Sequence, residues 1–259
     1  MIIAGSDSGG GAGIQADIKT VTALGGYAMT AITALTAQNT LGVSAIHDVP
    51  VDFVTEQITA VMGDLGADAI KIGMLNNTAV IEAVADALAA LAGEIPVVLD
   101  PVMVAKGGAA LLQGDAQTAL RDKLIGRVAL LTPNVPEAEA LTGERVTGTD
   151  DLERLGRLLL EMGPGAVLMK GGHMQGAEVI DLLVTPGGVA RFSGPRIATR
   201  HTHGTGCTLA SACACGLAQG LDLHAAVGRA RDYVQRAIET APGFGQGHGP
   251  LNHGHTIGK

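Results

Sequence analysis

The segment richest in potential chemistry is Thr202-His203-Gly204-Thr205-Gly206-Cys207-Thr208, which runs into Leu209-Ala210-Ser211-Ala212. Glycines at 204 and 206 permit backbone conformations that aim successive amides at one point, and a helix starting there adds its positive end. The result is an anion site that needs no basic side chain. Such a site stabilises charge on a transferring phosphoryl group. Cys207 falls in the first turn, where the helix end is expected to lower the thiol pKa and favour a thiolate able to act as nucleophile or proton acceptor. The alternative for a Cys in so Ala-rich a helix is plain packing, which is the reading for Cys213 and Cys215. The spacing Cys207-x5-Cys213-x-Cys215 matches no usual zinc pattern.

Other groups could serve the same chemistry. In Thr132-Pro133-Asn134-Val135-Pro136-Glu137, an amide oxygen and a carboxylate stand three residues apart at a strand end, a hard-oxygen pair suited to Mg²⁺. The same spacing describes a helix capping box. Asp100 closes the apolar run Val97-Val98-Leu99 and could serve a metal or phosphate site, or cap a turn. Gly11-x-Gly13-x-x-Ala16 formally fits a dinucleotide fingerprint. Ser6-Asp7-Ser8 separates those glycines from the preceding strand, however, and Gln38 and Asn39 occupy the region where an acidic residue is expected about 20 positions on. The loop is therefore read as one whose backbone lets a small ligand approach closely. No Walker A motif occurs, so any use of ATP proceeds without a P-loop.

These groups need a scaffold that brings them to one edge. Apolar runs predict strands at 1–4, 27–37, 42–49, 68–72, 97–100, 128–131, 166–170, 178–184 and 189–197. Helical spacing predicts helices at 14–25, 51–63, 77–92, 115–125, 136–142, 151–162, 206–219 and 222–240, with an irregular tail from Pro242. The alternation implies an α/β fold, a mostly parallel sheet with helices on both faces, in one domain spanning 1–259. In such sheets ligands sit beyond the carboxyl ends of the strands. Gly5, Gln38, Gly73-Met74, Asp100, Asn134 and Lys170 all stand at such ends.

Composition narrows the function classes. Apolar residues make up 47% of the chain and aromatics 2%, with no Trp, so the core is built of Ala, Val, Ile, Leu and Met. A net charge of −8 with no basic cluster argues against nucleic-acid binding. No apolar run reaches the roughly 18 residues of a membrane span, the start lacks a signal-peptide pattern, and three crowded Cys make a poor disulfide framework; a cytoplasmic location is expected.

Taken together and in order, the motifs resemble the hydroxymethylpyrimidine/phosphomethylpyrimidine kinases of thiamine biosynthesis, in the ribokinase-like superfamily. The resemblance spans nearly the whole chain. It rests on Ala4–Asp7 with Gly10–Asp17, Thr33–Thr40, Lys71–Leu75, Asp100–Met103, Thr132–Asn134 with Pro136–Ala138, Met169–His173, Thr202–Thr208 and Gly249–His253. It implies ATP and Mg²⁺ as cofactors. It also implies two successive phosphorylations, of 4-amino-5-hydroxymethyl-2-methylpyrimidine and of its monophosphate, and a homodimer.

By the same resemblance, Gln38 reads the aminopyrimidine edge and Asp17 contacts the substrate, while Gly5, Met74 and Val102 line the pocket. Cys207 stands where sugar-kinase relatives carry a catalytic Asp, amid Gly204, Thr205 and Gly206. Asn134, Glu137 and Asp100 serve the Mg-nucleotide, and Lys170 lies near the phosphates. Where the family commonly has Asp-Pro-Ser-Gly-Gly, this chain has Asp7-Ser8-Gly9-Gly10-Gly11. No fused thiamine-phosphate synthase domain is expected.

The runner-up is a pyridoxine/pyridoxal kinase, whose substrate is a similar flat heterocycle bearing a hydroxymethyl group. A non-catalytic pyrimidine sensor is disfavoured by the intact Cys207 and Glu137. The tail histidines His248, His253 and His255 are a weaker metal candidate, and Ala105–Leu112 is a candidate lid hinged at Gly107-Gly108.

Overall fold

A computed structural model describes residues 1–103, 112 and 114–257. Among these, nine strands form one sheet in the order β3-β2-β1-β4-β5-β6-β7-β8-β9. They are β1 (Ile2–Asp7), β2 (Thr30–Asn39), β3 (Gly42–Asp48), β4 (Ile70–Ile72), β5 (Val97–Leu99), β6 (Leu130–Leu131), β7 (Val167–Met169), β8 (Glu178–Thr185) and β9 (Gly188–Pro195). The six strands from β2 to β7 run parallel; β3 and the β8–β9 hairpin add antiparallel edges. The α/β, ribokinase-like architecture expected from the sequence is the one observed.

The helices are α1 (Gly13–Ala23), α2 (Val51–Asp64), α3 (Thr78–Leu91), α4 (Asp115–Ala119), α5 (Val135–Thr142), α6 (Thr149–Leu160), α7 (Thr205–Ala218) and α8 (Leu223–Glu239). The predicted helix at 115–125 differs in kind. After α4 the chain widens into a π turn at Leu120–Leu124 and tightens into a 3₁₀ turn at Ile125–Arg127. Leu120, Leu124 and Ile125 are all buried along this stretch. The candidate lid at Ala105–Leu112 lies, Leu112 apart, outside the described residues.

Strand alternation distributes the core to two faces. Ile70, Ile72, Val97, Leu99, Leu131, Val167 and Met169 join the cluster under α2, α3 and α6. Val98, Leu130 and Leu168 point the other way, into the cluster under α7 and α8. In β4 the residue between Ile70 and Ile72 is Lys71, so a lysine enters the α1/α7 side, where it is 1% exposed. The helix α7 packs on α1, α8, β4 and β5. Its Ala, Ser, Cys and Gly residues allow that close approach: a Cβ at Gly216 would sit 2.8 Å from the Ala226 methyl.

The strand order reverses between β1 and β4, whose neighbours lead off in opposite directions. A doubly wound sheet opens its ligand crevice at that point, at the carboxyl ends.

Candidate active site

At the reversal point two glycine loops interlock. Gly204 has φ +85 and is the N-cap of α7. A Cβ there would lie 1.8 Å from the Gly11 carbonyl oxygen, so only glycine fits. Gly13, at φ +56, in turn abuts the Gly5 carbonyl oxygen, 2.4 Å from its would-be Cβ. The start of α7 is thereby pressed against the β1–α1 loop. Gly5 also lacks room for a side chain, because Met74 Cε would stand 2.4 Å from its Cβ. This places Met74 beside the β1 end, where the substrate pocket is expected. Thr33 Oγ1 fixes it by donating to the Met74 carbonyl at 2.7 Å.

The charged groups gather beyond β5, β6 and β7. Lys170 Nζ donates to Asp100 Oδ1 at 2.7 Å and lies 3.8 Å from Glu137 Oε2. Burial alone would lower the Lys170 pKa; Asp100 and Glu137 outweigh it and hold the ammonium charged. Burial pushes the Glu137 carboxyl up to about 7, with Lys170 opposing. A Cβ on Gly206 would meet Asp100 Oδ2 and Lys170 Nζ, each at 3.3 Å, so the α7 amides and this cation border one space. Val102 follows directly, its amide donating to the Asp100 carbonyl at 2.8 Å.

Asn134 and Glu137 form the capping box of α5: Glu137 N–H donates to Asn134 Oδ1 at 2.9 Å and Asn134 N–H to Glu137 Oε2 at 2.8 Å. The spacing therefore has its structural use as well. Among the described residues no group of three or more His, Cys, Asp or Glu is placed to hold a metal. Asp100 and Glu137 still fit Mg²⁺ in the way that ion prefers, through one or two carboxylates, waters and nucleotide phosphates. Lys170 stands between the two carboxylates, so a bare ion bridging them directly does not fit.

Cys207 corrects a sequence expectation. Burial pushes its thiol up to about 12, opposed by Lys71 and reinforced by Asp17 and Asp100. Desolvation and two carboxylates outweigh the helix end, and the resting thiol carries its proton. Asp17 is corrected too. It is 0% exposed, and both its oxygens are taken: Oδ2 by Lys71 Nζ at 2.8 Å and Oδ1 by Ser211 Oγ at 2.7 Å. It is fully enclosed, and its charge bears on both Lys71 and Cys207. Burial alone would lower Lys71, but Asp17 holds the ammonium above the usual lysine range.

Gln38, near the end of β2, places its side-chain amide 3.1 Å from Thr36 Oγ1 and 3.3 Å from His203 Nε2. His203 Nε2 lies 2.8 Å from Asp7 Oδ2. The sequence places Asp7 at a strand end and His203 in the glycine segment but gives neither a role of its own, and it gives none to Lys71 or Ser211. Lys71 had a signal: a lysine between isoleucines in a buried strand must meet a partner. The tail, expected to be irregular, is irregular but tethered. His248 N donates to the Thr40 carbonyl, His203 N to that of Gly249, and His253 Nε2 lies 3.0 Å from Thr208 Oγ1. Burial lowers His253 to about 4, so it packs as a neutral ring.

The phosphomethylpyrimidine kinase family model matches residues 7–252. The chain is 49% identical over 253 residues to the thiamine biosynthesis bifunctional protein ThiED of Geobacter sulfurreducens, covering 98% of this chain and 51% of that one. It thus spans about half the length of that relative. It is 48% identical to the hydroxymethylpyrimidine/phosphomethylpyrimidine kinase of Bacillus subtilis, over 98% of this chain and 93% of that protein. Among solved structures, phosphomethylpyrimidine kinase from Clostridium difficile matches with TM-score 0.82 and 42% identity, over 92% of this chain and 97% of that one. Pyridoxal kinase from Staphylococcus aureus, in complex with AMP-PCP and pyridoxal, matches with TM-score 0.89 and 29% identity, over 98% of this chain and 92% of that one.

Proposed function

The chain belongs to the phosphomethylpyrimidine kinase family, and on that premise we propose that it transfers the terminal phosphoryl group of ATP to 4-amino-5-hydroxymethyl-2-methylpyrimidine and then to the resulting monophosphate, serving thiamine diphosphate biosynthesis. The observation that carries the reading is the meeting of three features at the sheet's reversal point. These are the Gly204–Gly206 amides at the start of α7, the Lys170–Asp100 pair beside them, and Gln38 across the crevice at the end of β2.

Each group has a task. The Gly204, Thr205 and Gly206 amides and the α7 end receive charge developing on the transferred phosphoryl group. Lys170, held charged by Asp100 and Glu137, neutralises the nucleotide phosphates. Asn134 fixes Glu137 through the capping box. Mg²⁺, bound with the nucleotide at Asp100 and Glu137, would supply further neutralisation of phosphate charge. Gln38 pairs with the aminopyrimidine edge, and Gly5, Met74 and Val102 wall the ring.

The first acceptor is an alcohol, which must lose a proton, and Cys207 can take it only in its thiolate form, which burial opposes. Lys71 favours its thiolate while Asp17 and Asp100 oppose it. The second acceptor is already an anion. Cys207→Ala is therefore expected to slow the first step by roughly 10²-fold and the second far less. Equal losses in the two steps, read with each acceptor separately, would reduce Cys207 to part of the pocket wall.

The second reading, a pyridoxal kinase, draws on the TM-score of 0.89 to such an enzyme. Identity points the other way, at 42% and 48% to pyrimidine kinases against 29%. ATP consumption measured side by side with hydroxymethylpyrimidine, its monophosphate and pyridoxal decides. Turnover of both pyrimidines is expected, and turnover of pyridoxal alone would overturn the substrate assignment. A cytoplasmic homodimer completes the proposal, to be checked by cell fractionation and light scattering.

A further inference from the structure

One side-chain cluster is not used by the transfer chemistry: Asp7, His203 and their contact with Gln38. We propose that the Asp7–His203 pair is a specificity device that fixes which end of the Gln38 amide faces which way, and so sets how the substrate ring lies.

The Asp7 carboxylate accepts from three backbone amides, Gly9 at 2.8 Å on Oδ1, and Gly11 at 3.1 Å and Ala12 at 2.8 Å on Oδ2. Burial pushes its pKa up, but these bonds and His203 prevail and hold it below the usual carboxylate range. An ionised carboxylate only accepts. His203 Nε2, 2.8 Å from Asp7 Oδ2, therefore carries a proton. The ring lies close against the Gly11 backbone, where a Cβ would stand 2.4 Å from His203 Cδ2, and the His203 amide donates to the Gly249 carbonyl.

Gln38 must answer that fixed N–H. A Gln38 Nε2 facing it at 3.3 Å would set donor against donor. An Oε1 facing Thr36 Oγ1 at 3.1 Å would compete for a proton that the Ser6 carbonyl, 2.9 Å away, already receives. With the amide oxygen toward His203 and the NH₂ toward Thr36, no two donors face each other and Thr36 keeps its proton for the Ser6 carbonyl, while the His203 N–H is shared between Asp7 Oδ2 and the Gln38 oxygen. One lone pair and one proton are then left side by side. They match the edge of an aminopyrimidine, which sets an amino donor beside a ring-nitrogen acceptor. Reversing the amide would turn the ring over and carry its hydroxymethyl group away from the Gly204–Gly206 amides. A pyridine without the amino group completes only half of the pair.

His203 is thus a positioning residue, acting through Gln38; the proposal rests on Gln38 being the ring's partner. The test measures kcat and KM for hydroxymethylpyrimidine and pyridoxal in the wild type, Gln38→Ala, His203→Phe, His203→Gln and the Gln38→Ala/His203→Phe double variant. His203→Phe is expected to raise KM for the pyrimidine by about 10- to 100-fold, with much less effect on kcat and on KM for ATP. His203→Gln can present an N–H at a similar place and should restore most of the loss. The double variant should discriminate no worse than Gln38→Ala.

Equal losses for both substrates, or losses that multiply in the double variant, would overturn the proposal. If Gln38→Ala itself leaves discrimination intact, it is the assignment of Gln38 to the ring that fails. Should His203→Phe not fold, Asp7→Asn serves instead. It no longer obliges His203 Nε2 to hold a proton, so discrimination should fall, and full discrimination would overturn the proposal.

Discussion

Gly204→Ala is expected to lower turnover of both pyrimidine acceptors by about 10⁴-fold or more, because several phosphoryl-stabilising amides are displaced together and each such donor contributes about 10²- to 10³-fold. The reason is steric. The residue sits at φ +85, and its Cβ would penetrate to 1.8 Å of the Gly11 carbonyl oxygen, a backbone atom that cannot rotate aside. The start of α7 must then move off the β1–α1 loop. Gly206→Ala is the control. Its Cβ would meet Asp100 Oδ2 and Lys170 Nζ at 3.3 Å, both ends of side chains that can give way. Its loss should be nearer 10-fold, as expected when contact geometry shifts slightly. Circular dichroism and steady-state rates check both. A Gly204→Ala enzyme within tenfold of wild type would show that the amides at the α7 start are not where the phosphoryl group is held.

The second large effect is on stability. Lys71→Met should destabilise the fold by about 3–5 kcal/mol, because it strands the Asp17 carboxylate in a fully buried site. Adding Asp17→Asn should recover much of that loss, since the pair removed together leaves no uncompensated charge. Urea midpoints of the two single variants and the double variant give the coupling directly. Losses that simply add would mean that the two charges do not compensate each other. The recovered double variant also separates stability from catalysis. It has lost the ammonium that favours a Cys207 thiolate together with the weaker opposing charge of Asp17, so its first phosphorylation should slow more, relative to wild type, than its second.

Much of this arrangement was legible in the sequence. The apolar runs and helical spacings located the strands and helices, because strands of a parallel sheet covered on both faces are apolar along their length. The glycines at 204 and 206 marked the tight loop that opens α7 because their use is local to the backbone. What escaped notice depended on partners distant in sequence. Lys71 and Asp17 are 54 residues apart, and His203 and Asp7 are 196 apart. Nothing in either residue's neighbourhood names the other. The Cys207 thiol was misjudged for the same reason. Its helix end is local and visible, whereas the burial and carboxylates that dominate it arrive from α1 and β5. Asn134 and Glu137 show the converse, one spacing serving both a capping box and an oxygen pair beside Lys170.

The tethered tail has a consequence for the order of folding. The pocket is assembled from residue 7, the hairpin tip at Thr40, the loop at His203 and the segment 247–253, which holds the last two in place. Closing these contacts joins segments as far as 207 residues apart, the costliest kind to bring together early. During synthesis the central sheet can form while this segment is still being made, but Gln38 and His203 lack their fixed neighbours until it docks. The ability to recognise the substrate ring is therefore acquired last, as a late event on an otherwise folded chain. A nascent chain stalled before residue 247 should hold nucleotide better than it tells one ring from another.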